Sequence, residues 1–267
     1  MSFTNPWINI YNSVMDLTQD PTTGMLKGTY RSTTDGSGTY DVVGWASLTN
    51  PTADAGQTMA IAILWRSNDG GKSDPSHEVS GMAGQAVLIN PVQNLSLMHL
   101  FVETDPNSGM ALGFYPDKLI FTPTTIIAPA SSGNRDNLAN PTAPAGRDGI
   151  SGTWKGSVDG KMITLTLSLF NPLQTNVEGS ICYSDGGTYP IAGFTDIFAA
   201  AGKLNWQGLS FSTYIDGSNG RTSITMAGYL NLATNKISLI RFSAQSTKPD
   251  STWEQVMMQP CDFEKES

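Results

Sequence analysis

The chain has 267 residues, of which 39% are hydrophobic and 14% are charged, with a formal net charge of −8 and a pI near 4.6. An acidic chain without a cluster of lysine or arginine repels phosphate backbones, which argues against nucleic-acid binding. No segment approaches the roughly 20 apolar residues of a membrane-spanning helix. Two domains of ordinary size would fit this length.

The first residues, Met-Ser-Phe-Thr-Asn-Pro, show neither a basic leader nor the apolar run of a secretory signal. We therefore expect a protein that is cytoplasmic or already mature.

Short segments that alternate apolar and polar residues follow along the chain, at 58–65 in the first half and 164–169 in the second. This period of two predicts half-buried strands, and helical periodicity is nearly absent. Glycine-containing clusters that favour hairpin turns separate the strands, at 35–36, 69–71, 185–187, 216–217 and 219–220. None of these clusters has the Asp-x-Asp-x-Asp-Gly spacing of a calcium loop, so we expect turns and no metal site.

Between residues 121 and 149 the chain is rich in Pro, Ser, Thr, Asn and Ala and poor in apolar periodicity, which is typical of a linker. The sequence thus predicts a first domain at 1–126, a linker at 127–148 and a second domain at 149–267. Both cysteines, Cys182 and Cys261, lie in the second half. They are either buried thiols or a single disulfide.

The two halves form a faint repeat, in which 24–30 parallels 176–181, 38–44 parallels 187–193, and 81–85 parallels 225–229. Because order and spacing both hold, we expect one fold in each half. Meandering antiparallel strands favour an up-and-down β-barrel, which leaves no exposed sheet edge. The prediction is all-β, with two tandem eight-stranded barrels; a β-sandwich is the second choice.

The opening segment 7–18, Trp-Ile-Asn-Ile-Tyr-Asn-Ser-Val-Met-Asp-Leu-Thr, resembles the avidins' Gly-Thr-Trp-x-Asn-x-x-x-Ser. Residues 24–32, Gly-Met-Leu-Lys-Gly-Thr-Tyr-Arg-Ser, are similar to the Gly-x-Leu-x-Gly-x-Tyr-x-Ser that follows in that family. Segments 62–67 and 80–85 resemble two later avidin strands more weakly. The second half opens with Gly-Thr-Trp at 152–154 and closes with a similar pattern at 253–263.

The resemblance implies a biotin-type pocket at the mouth of the first barrel. In the family an Asn, a Ser and a Tyr converge on the ureido oxygen of biotin, and these residue types stand here as Asn9, Ser13 and Tyr30. The remaining candidate ligand-binding residues are Ser32, Trp65, Ser80 and His99. Without the family pattern, Asn9 and Ser13 would be ordinary turn residues and the two rings, of Trp65 and His99, ordinary core residues.

Several positions depart from the avidin pattern. In the first half, Met82 and His99 stand at or near the places of pocket tryptophans, and the inner aspartate of the family falls near Leu119 or Asp117. These losses imply a reduced affinity for biotin. In the second half, the positions of the ureido-binding side chains hold four other residues: Gly156, Gly160, Ile181 and Tyr183. There the lid tryptophan corresponds to Trp253, and the inner aspartate falls near Cys261 or Asp262.

The sequence therefore predicts a protein without enzymatic activity or a cofactor, which binds biotin or a biotin-like small molecule in its first barrel. The chain has only two histidines and no Gly-x-Ser-x-Gly or HExxH motif. A carbohydrate-binding or toxin-like defence protein, for example an insecticidal one, is the alternative, with a glycan as partner. We also expect the barrels to pack face to face, and two chains to form a possible homodimer with four barrels.

Overall fold

The computed structural model of the chain describes residues 3, 6–33, 38–66, 77–89, 92–126, 149–170, 175–199, 203–218, 220–248 and 256–266. Within these ranges, sixteen antiparallel strands form two closed barrels of eight strands each. The predicted all-β tandem of eight-stranded barrels is confirmed. Each strand pairs with the next along the chain, and β1 closes the first barrel on β8 as β9 closes the second on β16.

The strands of the first barrel are β1 (Trp7–Asn9), β2 (Val14–Gln19), β3 (Met25–Ser32), β4 (Gly38–Ala46), β5 (Gln57–Leu64), β6 (Val79–Ile89), β7 (Val92–Glu103) and β8 (Gly113–Pro123). Those of the second barrel are β9 (Gly152–Val158), β10 (Lys161–Leu169), β11 (Asn176–Tyr183), β12 (Thr188–Thr195), β13 (Trp206–Gly217), β14 (Gly220–Asn231), β15 (Lys236–Ala244) and β16 (Val256–Lys265). The predicted strand segment 58–65 lies in β5 except for Trp65, which follows the strand. The predicted segment 164–169 lies in β10.

Each barrel is filled by its own apolar core, with a fully buried tryptophan from its first strand. Trp7 is 1% exposed and packs on Phe3, with ring centroids 6.3 Å apart. Trp154 is completely buried and donates a hydrogen bond from its indole nitrogen to the carbonyl oxygen of Ile150 at 2.8 Å. Alternation along each strand directs every second side chain into these cores, as expected for a small closed barrel.

The internal repeat is visible in the strand register. Gly28 lies opposite Leu17 on β2, and Gly179 lies opposite Leu167 on β10. A Cβ atom added at Gly28 would lie 1.9 Å from the carbonyl oxygen of Asp16, and one at Gly179 would lie 1.8 Å from that of Thr166. Both positions therefore require glycine because a neighbouring strand passes too close for any side chain.

The two barrels pack against each other through their outer faces. A third apolar cluster joins Ala60, Leu64 and Val79 of the first barrel to Ala227 and Phe242 of the second. Strands β4 to β7 contribute from one side and β12 to β15 from the other. Because β12 to β15 are the counterparts of β4 to β7, the contact is pseudo-symmetric.

Buried hydroxyl groups of the second barrel bind the backbone of the first across this interface. Ser210 donates to the carbonyl oxygen of Ser80 at 2.7 Å, and Ser212 donates to that of Ala60 at 2.8 Å. Thr225 donates to the carbonyl oxygen of Ile61 at 3.1 Å. These bonds satisfy polar groups that the interface removes from water, and each contributes about 0.5–1.5 kcal/mol. The expectation of face-to-face packing agrees with these contacts, whereas the homodimer stays a prediction.

The predicted linker at 127–148 lies outside the described residues, as do the turns predicted at 35–36 and 69–71, so the domain boundaries stay predictions. The cluster at 185–187 does connect β11 to β12. Cys182 and Cys261 are both free thiols. Among the residues that the structure describes, no helix is long and apolar enough to cross a membrane.

Candidate functional site

The turn between β1 and β2 is held by Asn9. Its side-chain oxygen accepts hydrogen bonds from the backbone N–H groups of Tyr11 and Ser13, each at 3.0 Å. Asn12, with a φ of 61°, completes the tight turn. The turn-residue interpretation of Asn9 is thus correct for its oxygen, while its amide nitrogen points elsewhere. It donates to the hydroxyl of Tyr30 at 3.4 Å.

Tyr30 is the point on which this first group of side chains converges. Burial raises the pKa of its hydroxyl, and hydrogen bonds with Ser13 and Asn9 oppose that shift. The hydroxyl therefore stays protonated at physiological pH and remains a hydrogen-bond donor. Three neutral polar side chains from β1, the β1–β2 turn and β3 meet at one buried place at the end of the first barrel where the β1–β2 turn lies.

A second polar group lies on β6, β7 and the end of β5. The indole nitrogen of Trp65 donates to the hydroxyl oxygen of Ser80 at 2.6 Å, and Nε2 of His99 lies 2.8 Å from the same oxygen. Burial lowers the pKa of His99 to about 4, although the charge of Asp117 acts in the opposite direction. The ring is therefore neutral at physiological pH, and its Nε2 can accept the Ser80 proton.

Aromatic contacts connect the two polar groups. The Trp65 ring lies 5.6 Å from the ring of Tyr30 and 4.8 Å from that of Tyr40, both in edge-to-face geometry. It also lies 6.1 Å from the ring of Phe101. Six of the seven predicted site residues are thereby linked by direct contacts, and Ser32 is buried two residues beyond Tyr30 on β3, on the same face. Tyr40 and Phe101 were missed, although the alternation of β4 and β7 places both inside.

The structure also fixes the positions where this site departs from the avidin pattern. Met82 is completely buried in the core, between strands β5 and β7. Leu119 is buried in the same core as Phe121. Asp117 is exposed and lies opposite His99 in the register of β7 and β8. At the depth of the core, β8 therefore presents a leucine, and the nearest carboxylate lies at the rim.

The second barrel has no counterpart of the Asn9, Ser13 and Tyr30 group. A Cβ atom at Gly156 would lie 2.3 Å from the carbonyl oxygen of Asp262 and 2.6 Å from the Phe263 ring, so no asparagine could fit there. Ile181 occupies the register position of Tyr30 and lies in the apolar core. Burial raises the pKa of the Cys261 thiol to about 12, and the predicted lid residue Trp253 lies outside the described residues.

The second barrel helps to position the strand ends that carry Trp65 and Ser80. The fully buried carboxylate of Asp196 accepts a hydrogen bond from His77 at 2.5 Å and lies 3.8 Å from the guanidinium of Arg66. Burial disfavours protonation of His77, but the hydrogen bond to Asp196 and its charge outweigh this effect and raise the pKa of His77. The residues that follow β5 and precede β6 are therefore both attached to one side chain of the neighbouring barrel.

The low pKa of His99 predicts a specific loss of stability in acid. The unfolded chain takes up a proton near pH 6.5, but the folded chain does so only near pH 4. The contribution of the neutral ring is therefore complete above pH 6.5, and it declines by roughly 1–3 kcal/mol as the pH falls to 4. We expect the difference in unfolding free energy between the wild type and His99→Gln to show this decline in urea titrations. A difference that stays constant from pH 7 to 4 would contradict the assignment.

Comparison with known proteins agrees with this geometry. Residues 1–107 match the family model described as the Avidin family. The match spans β1 to β7 and so covers every candidate site residue, and the second barrel repeats the topology of the first. Most of the first barrel is thus similar to avidins, and the second barrel has the same strand order as the first. No curated protein matches the chain. No cluster of three or more potential metal ligands occurs in the described ranges.

Proposed function

We propose that the first barrel binds a small molecule through a carbonyl oxygen, as a non-enzymatic binding protein in the manner of avidins. The observation on which the proposal rests is the convergence of Asn9, Ser13 and Tyr30 at one buried place in the barrel that matches the Avidin family. The cyclic urea of biotin is the reference ligand because its oxygen accepts several hydrogen bonds at once.

The chemistry of the group suits a neutral acceptor. Asn9 offers an amide N–H, and Ser13 and Tyr30 each offer an O–H. Donors aimed at one carbonyl in a site with little water polarise it and bind it more strongly than water does. Trp65 supplies an apolar wall beside them, fixed by its hydrogen bond to Ser80. Asn9, Ser13 and Tyr30 can therefore bind and orient a ligand, with Trp65 beside them.

We further propose that biotin binds with reduced affinity. Met82 offers less aromatic surface than a tryptophan, and Leu119 cannot accept a hydrogen bond from a ureido N–H. Loss of a large apolar wall costs about 1.5–3 kcal/mol per side chain, and each 1.4 kcal/mol changes the dissociation constant about tenfold. Since His99 also stands near the place of a pocket tryptophan, two such losses correspond to several orders of magnitude in affinity.

The experiment is a calorimetric titration of biotin into the wild type, Asn9→Ala, Tyr30→Phe and the double variant. Tyr30→Phe removes one donor and should weaken binding by about 0.5–1.5 kcal/mol. Asn9→Ala removes one donor together with the acceptor of two backbone N–H groups in the β1–β2 turn, and should weaken binding by at least as much. Since both donors share one acceptor, their effects should couple instead of adding. Tyr229→Phe is the matched control, because this tyrosine stacks on Trp206 and on Phe114 between the barrels and contacts none of the candidate site residues in these ring pairs. It should leave affinity unchanged.

Fully additive losses, or equal affinity in all four proteins, would show that the two side chains do not share a ligand atom. A wild type that ignores biotin but binds sugars on a glycan array would favour the carbohydrate-binding alternative.

A further inference from the structure

The second barrel has a cavity of its own at its open end. It has a volume of about 190 Å³, and its walls include Tyr183, Tyr189, Ile215 and Arg241. The strand register places it where the first barrel has its aromatic and polar groups. Arg241 lies opposite Met226 as His99 lies opposite Met82.

The side chains around the cavity differ from those of the first barrel in both directions: Tyr183 and Arg241 are larger than their counterparts Ser32 and His99, whereas two aromatic residues are replaced by isoleucines. Ile215 lies on β13, the counterpart of β5, and is opposite Thr222. It occupies the position that corresponds to Trp65 of the first barrel. Ile181 takes the register position of Tyr30 and lies in the apolar core. The cavity is therefore lined by a different set of side chains from the site of the first barrel, with a guanidinium, two phenols and an aliphatic side chain.

Arg241 is a buried cation with few partners. It is 6% exposed, and one terminal nitrogen donates to the side-chain oxygen of Gln259 at 2.8 Å. The nearest carboxylate, that of Asp159, lies 3.9 Å away and is about half exposed. Its Nε–H has no hydrogen-bond partner within the described part of the chain. A guanidinium has five N–H donors and fits a planar oxyanion in two-point geometry, and the Nε–H of Arg241 is available for such a contact.

A second donor lies beside the first. The hydroxyl of Tyr183 is buried and has no hydrogen-bond partner of suitable geometry among the described residues. Burial raises the pKa of this hydroxyl, whereas the charge of Arg241 and an interaction of its guanidinium with the hydroxyl oxygen oppose that shift, and the hydroxyl proton stays available for an acceptor. Two unpartnered buried donors on the wall of one cavity are costly unless an acceptor enters it.

The other charges at this cavity are already engaged. Lys161 and Asp185 form an ion pair at the rim, where both side chains are more than half exposed. The carboxylate of Asp159 accepts a hydrogen bond from Gln259 and is largely in water. The deep part of the cavity therefore keeps the positive charge of Arg241 with only partial neutralisation.

We propose that the second barrel binds a small organic carboxylate, with the anion on Arg241 and Tyr183 and an apolar body against Tyr189 and Ile215. The volume sets the size of the ligand: cavities of about 150 Å³ hold a benzene molecule, so 190 Å³ holds a benzene-sized body with a carboxylate. This site is independent of the proposed ligand of the first barrel.

The experiment is a calorimetric titration of the full chain at pH 7 with benzoate, and with benzamide as its neutral isostere. Benzoate should bind with one site per chain, and benzamide about 10-fold or more weakly, because a hydrogen bond between two charged groups is about twice as strong as one to a neutral acceptor. Acetate and inorganic phosphate, which lack the apolar body, should also bind more weakly than benzoate. Arg241→Met should abolish benzoate binding, and Tyr183→Phe should weaken it about 3- to 10-fold.

Tyr229→Phe is the matched control for Tyr183→Phe, because Tyr229 stacks on Trp206 and Phe114 and does not line the cavity; it should leave benzoate binding unchanged. The proposal is overturned if benzoate fails to bind the wild type at a concentration 10-fold above a dissociation constant of about 1 mM. It is also overturned if benzamide binds equally well. Retention of benzoate affinity in Tyr183→Phe, or in a folded Arg241→Met, would also overturn it. Should Arg241→Met fail to fold, the benzamide comparison and Tyr183→Phe still decide the question. Equal binding of acetate or phosphate would refute the apolar part of the site.

Discussion

Trp154→Ala is expected to lower the free energy of unfolding of the second barrel by about 3–5 kcal/mol. The indole is completely buried in the core of the barrel, and no neighbouring strand can move in to fill the space that its loss would leave. The variant also loses the hydrogen bond from the indole nitrogen to Ile150 and the contact of the Lys265 ammonium, 5.1 Å from the ring centroid. Urea denaturation followed by circular dichroism measures the loss.

Two further variants make this prediction specific. Phe170→Ala removes a ring that is 68% exposed and should change stability by no more than about 0.5 kcal/mol. Trp7→Ala should lower the free energy of unfolding less than Trp154→Ala does, since the indole nitrogen of Trp7 is buried without a hydrogen-bond partner in the described ranges. Equal losses in Trp154→Ala and Phe170→Ala would contradict the view that this tryptophan fills the core.

Ala227→Asp is expected to separate the two barrels without unfolding them. Ala227 is completely buried in the interface, and a Cβ atom added at Gly81 would lie only 3.2 Å from its own Cβ. A carboxylate there would be buried without a cation, at a cost of several kcal/mol, and the chain can avoid this only by opening the interface. Small-angle scattering should show an increased radius of gyration, with an unchanged far-ultraviolet spectrum.

Ala233→Asp introduces the same charge in the exposed turn after β14 and is the matched control. It should leave the scattering profile unchanged. An Ala227→Asp protein as compact and as stable as the wild type would show that the barrels do not depend on this face.

Much of the fold could be predicted from the sequence, because the strands of these barrels show period-two alternation, glycines mark the turns, and each half has a tryptophan on its first strand. The interface could not be predicted in the same detail. Ser210, Ser212 and Thr225 are polar residues on outward faces, which is the ordinary pattern of a solvated strand. Only the packed structure shows that their hydroxyls bind backbone carbonyls of β5 and β6.

The candidate site was predictable where spacing fixed it, as for Asn9 and Tyr30. The choice between Leu119 and Asp117 was not, since residues two apart on a strand point to the same face, and depth in the barrel decides between core and rim. Arg241 was missed although a signal existed: it continues the inward series of Ile237 and Leu239 on β15. A charged residue is normally assigned to the solvent face, and that expectation conflicted with the alternation.

The claim that Asn9, Ser13 and Tyr30 form a ligand site in the first barrel is tested most directly by titrating biotin into the wild-type chain in a calorimeter. The second barrel lacks these side chains, so the account predicts saturation at one biotin per chain, with an affinity far below that of a site with its full set of tryptophans. Binding of two biotins per chain, or no binding at high micromolar concentration, would contradict it.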